Sequence, residues 1–197
     1  MSRSSTRSIA TRRGDDGTTG VAGGARTSKG DVRIEITGAI DELNAALGVA
    51  RAHCGDAEMA ARLLAIQREL FPLASAISRK DGGRVSPPEI GDAMVGRLDA
   101  FVTDLEARPG LILDWTVPGA LRESSFFEVA RTVCRRAERA AVRLMASGEP
   151  VQRNVLAYLN RLSDVLWLCA RALEAAAGVD ARLRDERFPG PPWSQAW

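Results

Sequence analysis

A chain of 197 residues, 45% hydrophobic and 26% charged, has the composition of one globular domain rather than of a disordered or membrane-embedded protein. The formal net charge of +2 comes from bases interleaved with acids, which excludes the clustered basic footprint of a nucleic-acid binder. No run approaches the roughly 18 apolar residues of a membrane span, so neither nucleic acid nor membrane is an expected partner. Ala, Leu, Arg and Glu dominate over four Trp, one Tyr and five Phe, a bias toward helix formers that points to an all-α protein. Cys54, Cys134 and Cys169 show no metal-ligand spacing and read as reduced thiols of a cytoplasmic protein. Lys29 and Lys80 are the only lysines. The arginine excess suits planar recognition of phosphate, although a GC-rich genome gives the same bias.

In chain order, residues 1–10 are Ser/Arg-rich and free of acids, and are expected to be a disordered start. Residues 11–38 carry many Gly, Thr and Arg residues and no helical period, which indicates a loop. From Ile40 the period becomes 3.6: Ile40, Leu43, Leu47 and Ala50 share a stripe, giving a first helix to about Cys54 with Gly55 as its stop. Asp41 and Glu42 stand at its start, where acids complement the macrodipole. A second helix over 57–78 turns Leu63, Ile66, Leu70 and Leu73 inward, and Pro72 predicts a kink or break. After the polar 80–88 connection, Ser86-Pro87-Pro88-Glu89 opens a third helix bearing Met94, Leu98, Phe101 and Leu105, closed by Pro109-Gly110.

Residues 111–120 read as a short apolar loop with an exposed Asp114-Trp115. A fourth helix over 121–145 has Val133, Ala137, Ala140 and Leu144 on its core side; a fifth over 151–176 carries Leu159, Leu162, Leu166 and Leu173, with Gly178 at its stop. The tail, 179–197, contains Pro189, Pro191 and Pro192 and is expected to be loosely held. The expected architecture is an antiparallel five-helix bundle, a four-helix core plus one, over a domain spanning 11–178.

Three clusters stand out from a plain bundle surface. Thr11-Arg12-Arg13-Gly14-Asp15-Asp16-Gly17-Thr18-Thr19-Gly20, followed by Gly23-Gly24, Arg26 and Lys29, could turn backbone amides toward an anion, with cations near its end; a Gly/Thr tail with no ligand has the same composition. It lacks the Gly-Lys-Ser/Thr of a Walker loop. Arg131, Arg135 and Glu138 fall at i, i+4 and i+7 of the fourth helix, with Arg136 and Arg139 beside them, as either a phosphate-binding face or a solvated one. On the fifth helix, Asn160 and Asp164 lie one turn apart and Trp167 continues their face, suited to inter-helix hydrogen bonds or to a ligand.

A di-iron bundle needs two Glu-x-x-His motifs, yet His53 is the one histidine, and it falls near a helix end. The same scarcity argues against a zinc site or a Ser-His-Asp or Cys-His nucleophile. Catalysis, if present, would rest on binding, charge placement and a reactive cofactor.

Read together, the clusters resemble the PduO-type ATP:cob(I)alamin adenosyltransferases. The family's Thr-Arg/Lys-x-Gly-Asp-x-Gly-x-Thr stands at 11–19; its Gly-Gly-x-Arg continuation is Gly23, Gly24, Arg26, Lys29, Asp31, Arg33 and Glu35; Gly-x-x-Asp-Glu-Leu-Asn is Gly38, Asp41, Glu42, Leu43 and Asn44. Ala-Arg-Thr-Val-Cys-Arg-Arg-Ala-Glu-Arg runs over 130–139 and Tyr-Leu-Asn-Arg-Leu-Ser-Asp over 158–164, so the resemblance extends from about Ile9 to Leu173.

The resemblance implies a homotrimeric five-helix bundle with active sites between subunits, transferring the 5′-deoxyadenosyl group of ATP to the cobalt of a cob(I)alamin or other corrinoid. It implies an N-terminal Gly-rich ATP loop over 11–37 in which Thr11, Arg12, Gly14, Asp15, Gly17, Thr18, Thr19, Arg26 and Lys29 bind ATP with Arg135, Glu138 and Asn160. Asp41 would form an inter-subunit ion pair with Arg131, and Mg²⁺ would be held mainly by the phosphates rather than by protein ligands. A reductase and an adenosylcobalamin-dependent enzyme would be further partners. The family's Phe-x-x-Pro-Gly-Gly loop, whose aromatic displaces the lower axial ligand of cobalt, reads Trp115-Thr116-Val117-Pro118-Gly119-Ala120 here. Trp115 replaces Phe, Ala120 replaces Gly, and the family's Leu-His before the arginine helix is Phe127-Glu128. All three departures concern the corrinoid side. They leave a second reading, an ATP-binding trimeric corrinoid chaperone or sensor with weakened or lost transferase activity, and a third, a purely structural bundle.

Overall fold

The computed structural model describes residues 9–79, 86–111, 114–184 and 187–190. The start over 1–8, most of the 80–88 connection and the end of the tail lie outside the described residues. A two-stranded hairpin, β1 (Thr18–Gly20) and β2 (Arg26–Ser28), precedes five helices: α1 (Val32–Ala52), α2 (Ala57–Ser78), α3 (Asp92–Glu106), α4 (Arg122–Ala146) and α5 (Arg153–Ala176). The strands pair antiparallel, Thr18 opposite Ser28 and Gly20 opposite Arg26, so part of the glycine-rich stretch is ordered by a ladder. Neighbouring helices pack α2–α1–α4–α5–α3. The short 53–56 connection makes α1 and α2 an antiparallel hairpin.

One core joins all five helices. It contains Ile36, Ile40, Leu43 and Leu47 of α1, Leu63, Leu70 and Leu73 of α2, and Leu98, Phe101 and Leu105 of α3; α4 adds Phe127, Cys134 and Leu144, and α5 adds Tyr158, Leu162 and Leu166. The inner line of α4 includes Ala130, Ala137, Ala140 and Ala141, small residues that let α1 and α5 approach closely. Cys134 is buried on this line, whereas Val133, expected there, is only half-buried.

Other sequence expectations also need correction. First, α1 begins at Val32, eight residues before the apolar stripe announces it. Asp31 caps it, its carboxylate accepting from the Arg33 N–H at 3.0 Å. The first turns escape notice because Arg33, Thr37 and Gly38 interrupt the pattern, yet Arg33 is buried, donating to the Ile77 carbonyl at 2.9 Å and pairing with Glu149. Asp41 therefore lies inside the helix, and Glu35 is the acid of the first turn. Second, α2 runs unbroken through Pro72; the buried Leu70 and Leu73 on either side hold the helix where one backbone bond is lost. Third, Asp114 is buried rather than exposed, and the chain after α5 is tied down. Val117 N donates to Ala181 O at 2.8 Å and Leu183 N to Trp115 O at 2.6 Å, while Arg184 grips the Asp114 carboxylate, Nε to Oδ2 at 2.9 Å. Over 180–184 the tail is thus fastened to the 114–117 loop.

Cys134 and Cys169 are buried, and burial pushes both thiols far up. His53 caps the C-terminus of α1 with Nδ1 2.9 Å from the Val49 carbonyl, a structural position. Among the described residues no helix is long and apolar enough to cross a membrane.

Candidate functional site

A cavity of about 470 Å³ opens between α3, α4, α5 and the loop after α3, large enough for a small-molecule ligand. Trp115, Arg131, Arg135, Asp164 and Trp167 all line it. The helical period explains the convergence: Arg131 and Arg135 are one turn apart on α4, and Asp164 and Trp167 nearly so on the facing α5. Arg135 is exposed, and among the described residues no hydrogen bond or ion pair occupies its guanidinium. Burial pushes the Asp164 carboxyl up, against the pull of Arg161 and Arg135, so the negative charge there is poorly solvated. Asn160 and Glu138 also meet across α4 and α5, the amide donating to Oε1 at 3.1 Å. Trp115 presents a largely open face, 45% exposed.

The loop departures can be placed. Gly119 has φ +116°, whereas Ala120 is not in the positive-φ region, so its Cβ adds no backbone strain. Glu128 is 4% exposed and lies in a network that the sequence reading missed. Its Oε2 accepts from Arg131 Nε at 2.7 Å and its Oε1 from Arg171 Nη1 at 3.1 Å. Arg171, also buried, binds Glu174 through Nε at 2.7 Å and Nη2 at 2.9 Å and donates to the Thr116 hydroxyl. Ser124 Oγ donates to Glu174 at 2.7 Å. A charge inside each apolar run, Phe126-Phe127-Glu128-Val129-Ala130 and Cys169-Ala170-Arg171-Ala172, was the available signal, since buried charges must find partners.

The N-terminal loop forms a second, separate cluster. Asp16 accepts from Thr18 N at 2.9 Å and Thr18 Oγ1 at 2.7 Å, which holds its carboxyl below the usual range. Arg26 donates to the Arg13 carbonyl at 2.5 Å and to the Thr18 hydroxyl, and Gly17 turns at φ +80°. Lys29 folds over Gly14 so closely that a Cβ there would sit 3.1 Å from Nζ. Thr11, Arg12 and Asp15 are exposed, and Arg12 is the one non-glycine residue with positive φ among those described.

Within one chain the two clusters stay apart. No residue of 11–29 lines the cavity. The loop enters α1, whose first turn meets Arg143 through Glu35 at 2.5 Å, and Arg143 is roughly 18 Å of helix rise beyond Arg131. Asp41 is exposed on α1 and does not line the cavity, and its neighbour Glu42 pairs with Arg136.

Comparison with known proteins bears on this arrangement. The family model for cobalamin adenosyltransferase matches residues 9–173. The chain is 40% identical over 177 residues to a corrinoid adenosyltransferase of Bacillus subtilis, covering 86% of this chain and 88% of that one. It is 39% identical over 171 residues to a cobalamin adenosyltransferase of Cupriavidus metallidurans, covering 86% and 90%. The fold is similar to a variant PduO-type ATP:corrinoid adenosyltransferase of Lactobacillus reuteri complexed with cobalamin and ATP, with a TM-score of 0.84 and 28% identity over 91% of this chain and 97% of that one. A match over nearly the whole helical bundle, at this identity to relatives of similar length, means that the chain belongs to the cobalamin adenosyltransferase family.

Proposed function

We propose that this protein transfers the 5′-deoxyadenosyl group of ATP to the cobalt of a reduced corrinoid, giving the adenosylated corrinoid and triphosphate. The reaction forms a Co–C5′ bond and breaks the C5′–O bond, the electron pair leaving on triphosphate. Cobalt(I) is itself the nucleophile, so the want of an activated Ser, Cys or His is no obstacle. The protein's task is to align two substrates and disperse the charge of the leaving group. One observation carries the reading: Trp115 and the Arg131–Arg135 pair face a single cavity in a member of this family.

In this reading Arg135, Lys29 and the amides around Gly14, Gly17, Thr18 and Thr19 hold the triphosphate, with Thr11, Arg12, Asp15, Arg26, Glu138 and Asn160 completing the nucleotide site. Trp115 excludes the lower axial ligand of cobalt. The wide separation of loop and cavity within one chain supports a homotrimer in which the loop of one subunit closes over the cavity of the next, with Asp41 and Arg131 paired across the interface. Mg²⁺ arrives on the triphosphate and is coordinated mainly by its oxygens. The protein works in the cytoplasm, with a reductase supplying cobalt(I) and an adenosylcobalamin-dependent enzyme taking the product.

Anaerobic absorbance spectroscopy tests this. Cob(II)alamin added to protein and MgATP should shift to the four-coordinate form and, under reduction, yield adenosylcobalamin. Trp115→Ala should lose the shift while still binding MgATP. Nucleotide binding without any corrinoid signal in the wild type would instead identify a chaperone or sensor.

A further inference from the structure

Charged side chains between α4 and α5, buried except for Arg131, form a continuous path across the candidate site. Arg131 lies on the cavity wall, and its Nε is held by Glu128. Glu128 also holds Arg171, and Arg171 holds the hydroxyl of Thr116, the residue after Trp115, which lines the same cavity. Arg171 further stacks over Trp167, its Cζ 5.1 Å from the ring centroid, and Trp167 lines the same cavity. Two carboxylates, Glu128 and Glu174, balance two guanidiniums, Arg131 and Arg171. Among the described residues no buried side-chain nitrogen or oxygen is left without a partner, so the network requires no ligand to complete it.

The middle of the network, Glu128, Arg171 and Glu174, is buried and committed, whereas its two ends, Arg131 and Thr116, are only half-buried and keep freedom that a ligand can remove. Glu128 occupies Nε of Arg131 and thereby fixes the guanidinium plane while leaving its Nη edge for partners in the site. At the other end, Arg171 fixes Thr116 and with it the backbone that presents Trp115. The orientation of Arg131 is therefore tied to that of the loop bearing Trp115.

We infer that Glu128 is a positioning residue that couples the two halves of the site. A corrinoid seated against Trp115 steadies Thr116, Arg171, Glu128 and so Arg131. Nucleotide bound beside Arg131 and Arg135 steadies the same path in reverse, because coupling between two ligands is reciprocal. Occupation of either half strengthens binding at the other. The inference rests on the proposed function above, since it takes the two ligands to be MgATP and a corrinoid.

The test measures the Kd of cob(II)alamin for the full-length protein under anaerobic conditions, with and without saturating MgATP, in wild type, Glu128→Gln and Thr116→Val. MgATP is expected to tighten corrinoid binding on the order of tenfold in the wild type, and in both variants the ratio should collapse to within about twofold of one. Thr116→Val cuts the path at its half-buried end and leaves every buried charge paired, so it decides the question even if Glu128→Gln folds poorly. A ratio that stays at the wild-type value in Thr116→Val overturns the inference, as does one that stays so in folded Glu128→Gln. Weakened binding of both ligands with an unchanged ratio is the mark of a merely structural role and also overturns it. Wild-type protein that binds both ligands without mutual strengthening sinks this inference alone. Wild type that binds no corrinoid sinks the proposed function with it.

Discussion

Replacing Arg135 by alanine separates catalysis from stability more cleanly than any other change at this site. The side chain is exposed and makes no hydrogen bond or ion pair among the described residues, so its removal breaks none. Glu138 keeps its hydrogen bond from Asn160, and the nearby core residues Cys134 and Ala137 are untouched. Its electrostatic consequences are a further rise of the Asp164 carboxyl and of the buried Cys134 thiol, both of which Arg135 helps to hold down. Stability should therefore move by no more than about 0.5 kcal/mol, the range of surface substitutions away from special features. In the proposed mechanism the same guanidinium faces charge that grows on the departing triphosphate, and removal of one such donor costs about 3–4 kcal/mol, or roughly 10²–10³ in rate. The assay is formation of adenosylcobalamin from MgATP and chemically reduced cobalamin, beside a thermal melt of the same preparation. A variant that melts like wild type and turns over within about fivefold of it removes Arg135 from the mechanism.

Asp164→Asn should behave as a pH-dependent stabiliser of the ligand-free protein. The folded-state carboxyl is raised by burial, so the wild type loses stability as pH rises from the unfolded value of about 4 through the raised one; the amide has no such loss. The two proteins should melt together below about pH 4 and diverge in favour of the variant toward neutrality, and a variant that melts lower at neutral pH contradicts the sign. Tyr158→Phe deletes a fully buried hydroxyl that donates to Glu69 Oε2 at 2.8 Å, while Arg97 still holds the other oxygen at 2.7 Å. A loss of about 1–2 kcal/mol is expected, read in urea as a lower midpoint with an unchanged slope; an unmoved midpoint would show that this hydrogen bond contributes nothing.

What could be read from sequence follows the range of the forces involved. Leu63, Ile66, Leu70 and Leu73, like Leu159, Leu162 and Leu166, declare their helices because burial imposes a local period. The opening turns of α1 were hidden because Arg33 occupies a core position that only Ile77 and Glu149, far along the chain, make tolerable. The grouping of Trp115, Arg131, Arg135 and Asp164 was legible through family motifs on consecutive elements. Asp114–Arg184 was not, since its partners are 70 residues apart and one sits in a tail whose composition suggests freedom. Glu128 looked like a mere departure from pattern for the same reason: Arg171, which makes its burial sensible, is 43 residues away.

Residues 181–184 run back along the aromatic loop and belong to no helix. A protease that nicked the backbone just after Gly178 would leave every helix whole and spectroscopically ordinary. It would also unfasten the indole from behind, because Ala181, Leu183 and Arg184 supply the hydrogen bonds that brace residues 114, 115 and 117. In this molecule helical content is therefore a poor witness to the integrity of the proposed corrinoid side.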